Sequence, residues 1–449
     1  MRIKLTISRS LIYPVGIFVI VSSVLMMFLG YLIKDINILC FFSIIFIVGY
    51  YLTLCGQQRS VFLDPMCIMP SVATIYCLTT PMIGACLNLV SFLSNISRDI
   101  LIESTFYCEI YIIFFSILTL VIRNPINIDN IGVVFDAHRK SINIIVELYM
   151  WIFTFIVFLR YYQIGGLSVN LSSVVRNSII DSFNTIPFYS YQCYIFIGCS
   201  IYNTMSFFNS IGIKKKARHI FGLIPVVLFF AINIFSGNRR ELSYYIIAIF
   251  VYTIYKNRGK INRKIVVIGV SVFVALIALS FLRTYTSTDE VSRDMRVYTL
   301  LGEFVNPMYT LRYYMSKPTN LRFGLTYLGF IPMLIPKILW ANKPISLASE
   351  YVKTTNAGIG YGFMPETEAF INFGFWGCII GAVLHFVVCR YVCKNPKRHP
   401  YLFVALYCEL LNMFRGEFSS TFTEMIIISL SLVILDRLNN PRKMIYDKE

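Results

Sequence analysis

Residues Leu11–Ile33 read LIYPVGIFVIVSSVLMMFLGYLI, an apolar run without a charged side chain. A helix of roughly 20 apolar residues crosses the hydrocarbon core of a bilayer, which is about 30 Å thick. The run is continuous and not alternating, so it predicts a helix, which satisfies its own backbone hydrogen bonds in lipid. The basic segment Met1–Ser10 leads straight into it. Because the run is too long for a signal peptide and lacks a small-residue cleavage site, we interpret it as the first span.

Similar apolar runs recur along all 449 residues, which are 57% hydrophobic and 14% charged. Soluble domains carry about 25% charged residues. We therefore predict an all-α polytopic integral membrane protein with about twelve transmembrane helices in a single transmembrane domain, residues 1–449. The predicted spans are Leu11–Ile33, Ile38–Cys55, Met66–Phe92, Leu101–Ile122, Ile142–Tyr162, Pro187–Phe208, Ile220–Phe235, Leu242–Tyr255, Ile265–Leu282, Ala369–Cys393, Tyr401–Phe414 and Phe422–Leu438.

The distribution of Lys and Arg predicts the orientation, because short cytoplasmic loops of membrane proteins are enriched in both. With the N-terminus inside, most of the 40 basic residues fall in inner loops and tails. The strongest anchors are KKKARH at 214–219 and KNRGKINRK at 256–264. Both termini are then predicted to be cytoplasmic. The basic residues of the inner loops and tails together explain the net charge of +17, and no basic helix or stacking platform indicates binding to nucleic acid.

Two long segments fall outside in this orientation, a large loop at 283–368 and a second loop at 164–186. The basic residues left on the outer side are mostly arginines, whose guanidinium groups suit bidentate binding of phosphate or carboxylate. The twelve cysteines are scattered, mostly within apolar runs, and we interpret them as small hydrophobic residues. Neither a metal nor another cofactor is predicted.

The first candidate motif is SGNRRE, Ser236–Glu241, between the seventh and eighth predicted spans. Gly237 permits a tight turn. Arg239 and Arg240 then lie at the start of a helix, whose N-terminus also favours anions. These arginines are predicted to bind a pyrophosphate or glycan. The alternative is that they extend to lipid headgroups as anchors.

The second and third motifs open and close the large loop. Arg283 in FLRTY follows the ninth span, and GIGYGFMPETEAFINFG at 358–374 leads into the tenth. Glu366 and Glu368 are candidates to take a proton from an attacking sugar hydroxyl. The alternative is that they stabilise the first helical turn through its dipole. Asn372 is predicted one turn further on, on the same face as Glu368.

The fourth motif is Arg415-Gly416-Glu417, in a short outer loop before the last span. Arg415 is predicted to bind substrate, with a weak surface pair to Glu417 as the alternative. The four histidines fall near the inner side in this topology, so none is predicted as an external catalytic base. The predicted catalytic residues are Glu366, Glu368, Arg283 and Glu303; the predicted pyrophosphate- or glycan-binding residues are Arg239, Arg240, Arg312, Arg415, Asn372, Lys343 and Tyr361.

These motifs are distant in sequence but share one predicted side of the membrane. Together they predict a pocket rimmed by arginine, with a few carboxylates, open to the outside and to lipid. A lipid-linked pyrophosphate suits such a pocket, because fixed positive charge stabilises a leaving diphosphate. Tyrosines and Trp340 would supply faces for sugar rings.

At these residues the chain resembles the bacterial O-antigen polymerases, also called oligosaccharide repeat unit polymerases. The likeness lies in the many spans, the GNRRE turn, one very large outer loop, Phe323–Pro344 (FGLTYLGFIPMLIPKILWANKP) and Pro365–Gly377 (PETEAFINFGFWG). Some members of that family carry an arginine followed eleven residues later by glycine in two outer loops. Neither Arg176 nor Arg283 is followed by glycine at that offset.

The resemblance implies a fold similar to the lipid-dependent GT-C-type glycosyltransferases. It also implies polymerisation of undecaprenyl-pyrophosphate-linked oligosaccharide repeat units at the periplasmic face of the bacterial inner membrane. The implied partners are that lipid-linked oligosaccharide, membrane lipid and a chain-length regulator protein. Two alternatives stay open, an O-antigen ligase and a flippase or transporter of lipid-linked sugars. A ligase of the related family relies on an outer-loop histidine, and flippases are built from symmetric halves.

Overall fold

A computed structural model describes most of the predicted helices. It describes residues 9–57, 64–86, 97–122, 140–165, 178–179, 182–183, 185–209, 213–236, 240–256, 267, 307–317, 320–336, 339–340, 342–355, 362–394, 400–409 and 412–439. All regular structure in these ranges is helical, and they contain no strand. This confirms the all-α prediction for the described part of the chain.

The first eight helices lie before the large loop and carry most of the long apolar runs. They are α1 (Arg9–Leu32), α2 (Ile36–Gly56), α3 (Pro65–Cys86), α4 (Arg98–Val121), α5 (Lys140–Gln163), α6 (Tyr189–Asn209), α7 (Ile213–Ser236) and α8 (Arg240–Lys256). Side-chain caps fix two of the starts. Asp35 accepts a hydrogen bond from the Asn37 amide before α2, and Ser97 accepts one from the Ile100 amide before α4. Such caps satisfy amide groups that have no partner within the helix.

The remaining helices are shorter until the last one. They are α9 (307–315), α10 (Phe330–Leu334), α11 (Leu347–Thr355), α12 (Pro365–Phe373), α13 (Gly377–Lys394), α14 (Pro400–Glu409) and α15 (Phe418–Asn439). Single 3-10 turns lie at Tyr327–Gly329, Gly374–Trp376 and Asn412–Phe414.

Seven described segments are long and apolar enough to cross a membrane. They are Leu11–Leu32, Ile36–Gly56, Arg98–Val121, Asn143–Gln163, His219–Ser236, Pro365–Cys393 and Phe418–Leu438. Each overlaps one of the predicted spans, so the chain is a polytopic membrane protein. The predicted ninth span, Ile265–Leu282, lies almost wholly outside the described residues.

Two predicted spans differ from the observed helices. The tenth is not one straight helix, because α12 ends at Gly374, which has a φ of +60°. A glycine adopts this backbone conformation without the steric cost that a Cβ adds. A Cβ at Gly377 would collide with the Ala369 carbonyl, so this second glycine lets α13 pack closely on α12. The eleventh, Tyr401–Phe414, contains only the ten-residue helix α14 and a 3-10 turn in its described part.

The chain forms two compact units. The first contains Met1–Asn127, Val297–Lys394 and Leu410–Phe422, and the second contains Ile128–Arg296, Asn395–Glu409 and Thr423–Glu449. The division into one transmembrane domain with two periplasmic loops stays a prediction.

The described part of the large loop belongs to the core of the first unit and does not stand apart from it. Leu347 and Tyr351 of α11 form a buried cluster with Phe363 and Ile371. Thr310 of α9 lies 3.2 Å from Thr367 of α12, hydroxyl to hydroxyl. Helix α12 is therefore held by other parts of the same loop.

Candidate functional site

Helix α12 is short and almost wholly buried. Pro365 begins it, as proline does at first helical positions, because its fixed φ suits the helix and no amide is lost there. Glu366, Glu368 and Asn372 have no exposed surface. Two buried carboxyl groups in nine residues need partners or a function, because burying a charge is costly.

Both oxygens of the Glu368 carboxylate accept hydrogen bonds. The Thr326 hydroxyl donates to Oε1 at 2.7 Å, and the Phe418 backbone amide donates to Oε2 at 2.6 Å. Phe418 is the first residue of α15. Glu368 therefore joins α12 to the segment before α10 and to the start of the last helix.

Asn372 lies on the same face as Glu368. Its Nδ2 donates to the Glu368 backbone carbonyl at 2.8 Å and to the Thr326 hydroxyl at 2.5 Å, and its Oδ1 accepts from the Gly324 amide at 2.9 Å. This confirms the predicted shared face of Glu368 and Asn372. The result is a chain of hydrogen bonds from Asn372 through Thr326 to Glu368, in which each bond polarises the next.

Glu417 is a third carboxyl group at this site, and sequence reasoning predicted no role for it beyond a pair with Arg415. It is buried, next to Phe418, and its Oε2 accepts from the Ala348 amide in the first turn of α11 at 3.1 Å. Its Oε1 is buried without a hydrogen-bond partner in the described residues. Burial, and then the charge of Glu368, raise the pKa of Glu417 to about 8. Oε2 of Glu417 is thus held, whereas Oε1 accepts no hydrogen bond from the part of the chain that the structure describes.

Glu366, like Glu368, lies within electrostatic reach of Tyr327. Its carboxylate lies within electrostatic reach of Cys77, Cys108 and Tyr111 of α3 and α4. Both of its oxygens are buried and have no hydrogen-bond partner in the described residues. The two predicted catalytic carboxyl groups of α12 therefore differ in their hydrogen bonding, since both Glu368 oxygens have partners.

Arg312 on α9 is also buried and only partly satisfied. Its Nε donates to the Ser104 hydroxyl at 3.4 Å, and its two terminal nitrogens have no partner in the described residues. Burial lowers the pKa of Arg312 to about 10, so the guanidinium stays charged at neutral pH. A buried cation with two unused donor groups is suited to an anionic ligand.

Two other predicted binding residues of the first unit have structural contacts. The Arg415 carbonyl accepts from the Phe363 amide at 2.7 Å, which ties the loop before α15 to the segment before α12. Lys343 Nζ donates to the Ile335 carbonyl at 2.8 Å. Binding of substrate by either side chain stays a prediction.

Arg240 lies in the second unit, at the start of α8 as predicted. Its terminal nitrogens donate to Glu424 Oε1 at 3.2 Å and to the Tyr194 hydroxyl at 2.9 Å, and Glu241 Oε1 lies 3.5 Å away. The Tyr244 hydroxyl donates to the other Glu424 oxygen at 2.7 Å. Arg240 is thus fixed by two carboxylates, and its side chain keeps 38% of its surface exposed.

Four predicted site residues lie outside the described residues: Arg239, Arg283, Glu303 and Tyr361. One histidine packs closer to the site than the sequence suggested. The ring of His385 on α13 lies 6.2 Å from that of Phe418, whose amide binds Glu368, and its Nδ1 is 2.7 Å from the Tyr111 hydroxyl.

Comparison with protein families decides the class of this membrane protein. The model of the family described as O-antigen polysaccharide polymerase Wzy matches residues 15–436, nearly the whole chain. The chain belongs to this family. No curated protein and no solved structure matches it significantly.

Membership confirms the resemblance that the sequence suggested. The protein is an O-antigen repeat unit polymerase, and it acts on lipid-linked oligosaccharide repeat units in the membrane. Its spans and its family identify a multi-pass protein of the inner membrane. The carboxyl groups around α12 and Arg312 are therefore candidate residues of a polymerase site in the first unit. Arg240 is a separate candidate in the second unit.

Proposed function

We propose that this polymerase is a glycosyltransferase that moves a growing glycan from undecaprenyl pyrophosphate to a second lipid-linked repeat unit at the periplasmic face. A hydroxyl group of the acceptor's terminal sugar attacks the anomeric carbon of the glycan. An oxygen–carbon bond forms, and the bond from that carbon to the diphosphate oxygen breaks. The hydroxyl proton passes to a base, and undecaprenyl pyrophosphate leaves with the electron pair.

Glu417 is the proposed base. The observation that supports this role is its buried Oε1, which has no hydrogen-bond partner among the described residues, beside an Oε2 that the α11 backbone holds in place. A base works best when its pKa lies near the pH of the reaction, and that of Glu417 is about 8. Glu368 supports it by fixing Phe418, the next residue in the chain.

Arg312 is the proposed ligand of the diphosphate in the first unit, because its terminal nitrogens are buried without partners in the described residues. Arg240, Arg239 and Arg415 remain proposed ligands of the pyrophosphate or glycan, with Lys343, Tyr361 and Asn372, and Arg283 remains a proposed catalytic residue. Glu366, Glu368 and Glu303 remain further proposed catalytic carboxyl groups. Both Glu366 oxygens are unused in the described residues, as expected for a group that meets a substrate.

The proposed setting is a bundle of twelve spans similar to the GT-C-type glycosyltransferases, with both termini cytoplasmic. The loops at 283–368 and 164–186 are then periplasmic. A chain-length regulator protein is a further proposed partner, implied by the family.

The decisive experiment incubates the purified protein with undecaprenyl-pyrophosphate-linked repeat units and measures the size of the products. Glu417→Gln should lower kcat by about 100-fold to 10,000-fold, the usual contribution of a general base. Its carboxamide oxygen can still accept from Ala348, so the fold should persist.

The matched control is Glu109→Gln in α4. Glu109 is another buried glutamate, and its Oε1 accepts from the Ser43 hydroxyl, as a carboxamide oxygen also can. The control should keep its turnover within about threefold of the wild type. Full turnover of Glu417→Gln would exclude Glu417 as the base.

A further inference from the structure

The short segment before and through α10 presents an apolar surface. Phe323, Leu325, Leu328 and Ile331 are between 53% and 76% exposed; we call these four residues the lipid face. The segment is not one of the seven candidate spans. Helix α10 has only five residues, and Pro332 lies within it, so the lipid face is not part of a helix that crosses the membrane.

The opposite side of this segment packs on the candidate site. The Thr326 hydroxyl binds Glu368. The ring of Tyr327 lies 5.4 Å from that of Phe418, and the ring of Phe330 lies 5.0 Å from that of Phe422. The segment therefore has two faces, one fixed to the carboxyl groups and one apolar and uncovered.

Phe323 is held in an unfavourable backbone conformation. Its φ is +47°, in the left-handed region that bulky residues rarely adopt. Its amide donates to the Asn372 carbonyl at 3.0 Å, while its side chain is 76% exposed. Packing within the protein does not account for this side chain, and strain of this kind concentrates at functional positions.

A charged pair borders the lipid face on one side. Arg322, which precedes Phe323, binds both Glu350 oxygens at 2.9 and 2.5 Å. An apolar surface bordered by a charged pair is typical of an element that lies at the level where lipid chains meet headgroups. A lipid-linked diphosphate likewise has a charged headgroup next to an apolar chain.

We propose that the lipid face binds the polyisoprenyl chain of the lipid-linked substrate and thereby brings its diphosphate and first sugar to the Glu368–Glu417 group. This rests on the proposed function of that group. The occupant is the substrate chain and not bulk lipid, because Thr326, which binds Glu368, lies between residues of the lipid face. A chain held there has its polar end beside the carboxyl groups.

Binding of two diphosphates without sugars tests this. The probes are undecaprenyl diphosphate and geranyl diphosphate, which share a headgroup and differ in chain length. The variant is Leu325→Ser/Leu328→Ser in the full-length protein. We expect its Kd for undecaprenyl diphosphate to rise about tenfold or more, from the loss of apolar contact. Its Kd for geranyl diphosphate should change by less than about twofold.

The control is Ile44→Ser/Val48→Ser, at two exposed apolar residues of α2. It removes a similar lipid-facing surface elsewhere in the first unit and should leave both Kd values unchanged. An equal rise for both probes, an equal rise in the control, or no change in the Leu325→Ser/Leu328→Ser variant would overturn the proposal. Because no sugar is transferred in this assay, its result is independent of whether Glu417→Gln retains turnover.

Discussion

At the scale of single residues, Glu417 gives the reaction a pH dependence. Burial and the charge of Glu368 raise its pKa to about 8, and a base acts in its deprotonated form. At pH 7 about a tenth of the molecules would carry the active form. We therefore expect kcat/KM to rise about tenfold per pH unit below 8 and to level off above it. The measurement is the turnover of lipid-linked repeat units from about pH 6 to about pH 9, a range that includes this pKa.

The residual activity of Glu417→Gln should lack this rise, because the variant has no proton to lose at that position. Glu109→Gln should keep the wild-type profile. A rise near pH 8 that persists in Glu417→Gln would assign the titration to another group.

Asn372 supports three contacts at once, so its removal is expected to destabilise the site. Asn372→Ala removes the hydrogen-bond partner of the partly buried Gly324 amide and one of the donors to the Thr326 hydroxyl. An unsatisfied buried polar group costs about 1–3 kcal/mol. Thermal unfolding should show a lower Tm. Thr354→Ala, which removes an exposed hydroxyl bonded within its own helix, should not.

Arg240 requires a charge-matched test, because it neutralises buried carboxylates. Arg240→Gln alone removes the Arg240 cation from beside Glu424 and Glu241 and should cost about 3 kcal/mol, the lower end for breaking a buried pair, since Arg240 is partly exposed. Arg240→Gln/Glu424→Gln removes one charge of each sign and should recover most of that stability. The measurement is the length of the glycan that this stable double variant makes. Products of a single repeat unit would show that Arg240 binds substrate, and long glycan would show that its role is structural alone.

At the scale of elements, the end of α12 depends on one glycine. Gly374 has φ +60° and ψ −141°, a region that residues with a Cβ scarcely enter. Gly374→Ala should therefore lower the free energy of unfolding by about 1–3 kcal/mol. Gly329→Ala is the control, because Gly329 has φ −58° and a Cβ there would make only ordinary contacts with Ser419. Equal Tm values for the two variants would contradict this account of the helix break.

Sequence reasoning predicted elements well where the signal is local. The apolar runs predicted the helices, and the spacing of Glu368 and Asn372 by one helical turn predicted their shared face. The break at Gly374 was not predicted, because a glycine within an apolar run is also compatible with a continuous helix.

Contacts between distant parts of the chain were the ones that sequence reasoning missed. Glu417 was interpreted through its neighbour Arg415, whereas its observed partner, the Ala348 amide, lies 69 positions away. Arg240 was predicted to bind pyrophosphate or glycan, which stays a prediction, and its contact with Glu424, 184 positions further on, was not foreseen. Nothing in the local pattern of either residue indicates these partners.

At the scale of the whole molecule, the charge distribution predicts the topology. A fluorescent protein fused after Glu449 should fluoresce, because the C-terminus is predicted to be cytoplasmic. Alkaline phosphatase, which folds only outside the cytoplasm, should be active when inserted within 284–292 in the large loop and inactive when inserted within 257–262. The opposite pattern would place the proposed site on the cytoplasmic side and exclude a periplasmic reaction.

Glu417 accepts a hydrogen bond from the Ala348 amide in the first turn of α11. Protonation of Glu417 therefore affects how strongly it holds this helix. An ionised carboxylate at a helix N-terminus gains about 0.3–1 kcal/mol from the helix dipole. When Glu417 accepts the sugar proton it becomes neutral and that attraction is lost. Each round of transfer would then loosen the neighbouring helix at the moment when the lengthened glycan must advance, and release of the proton would tighten it again for the next acceptor.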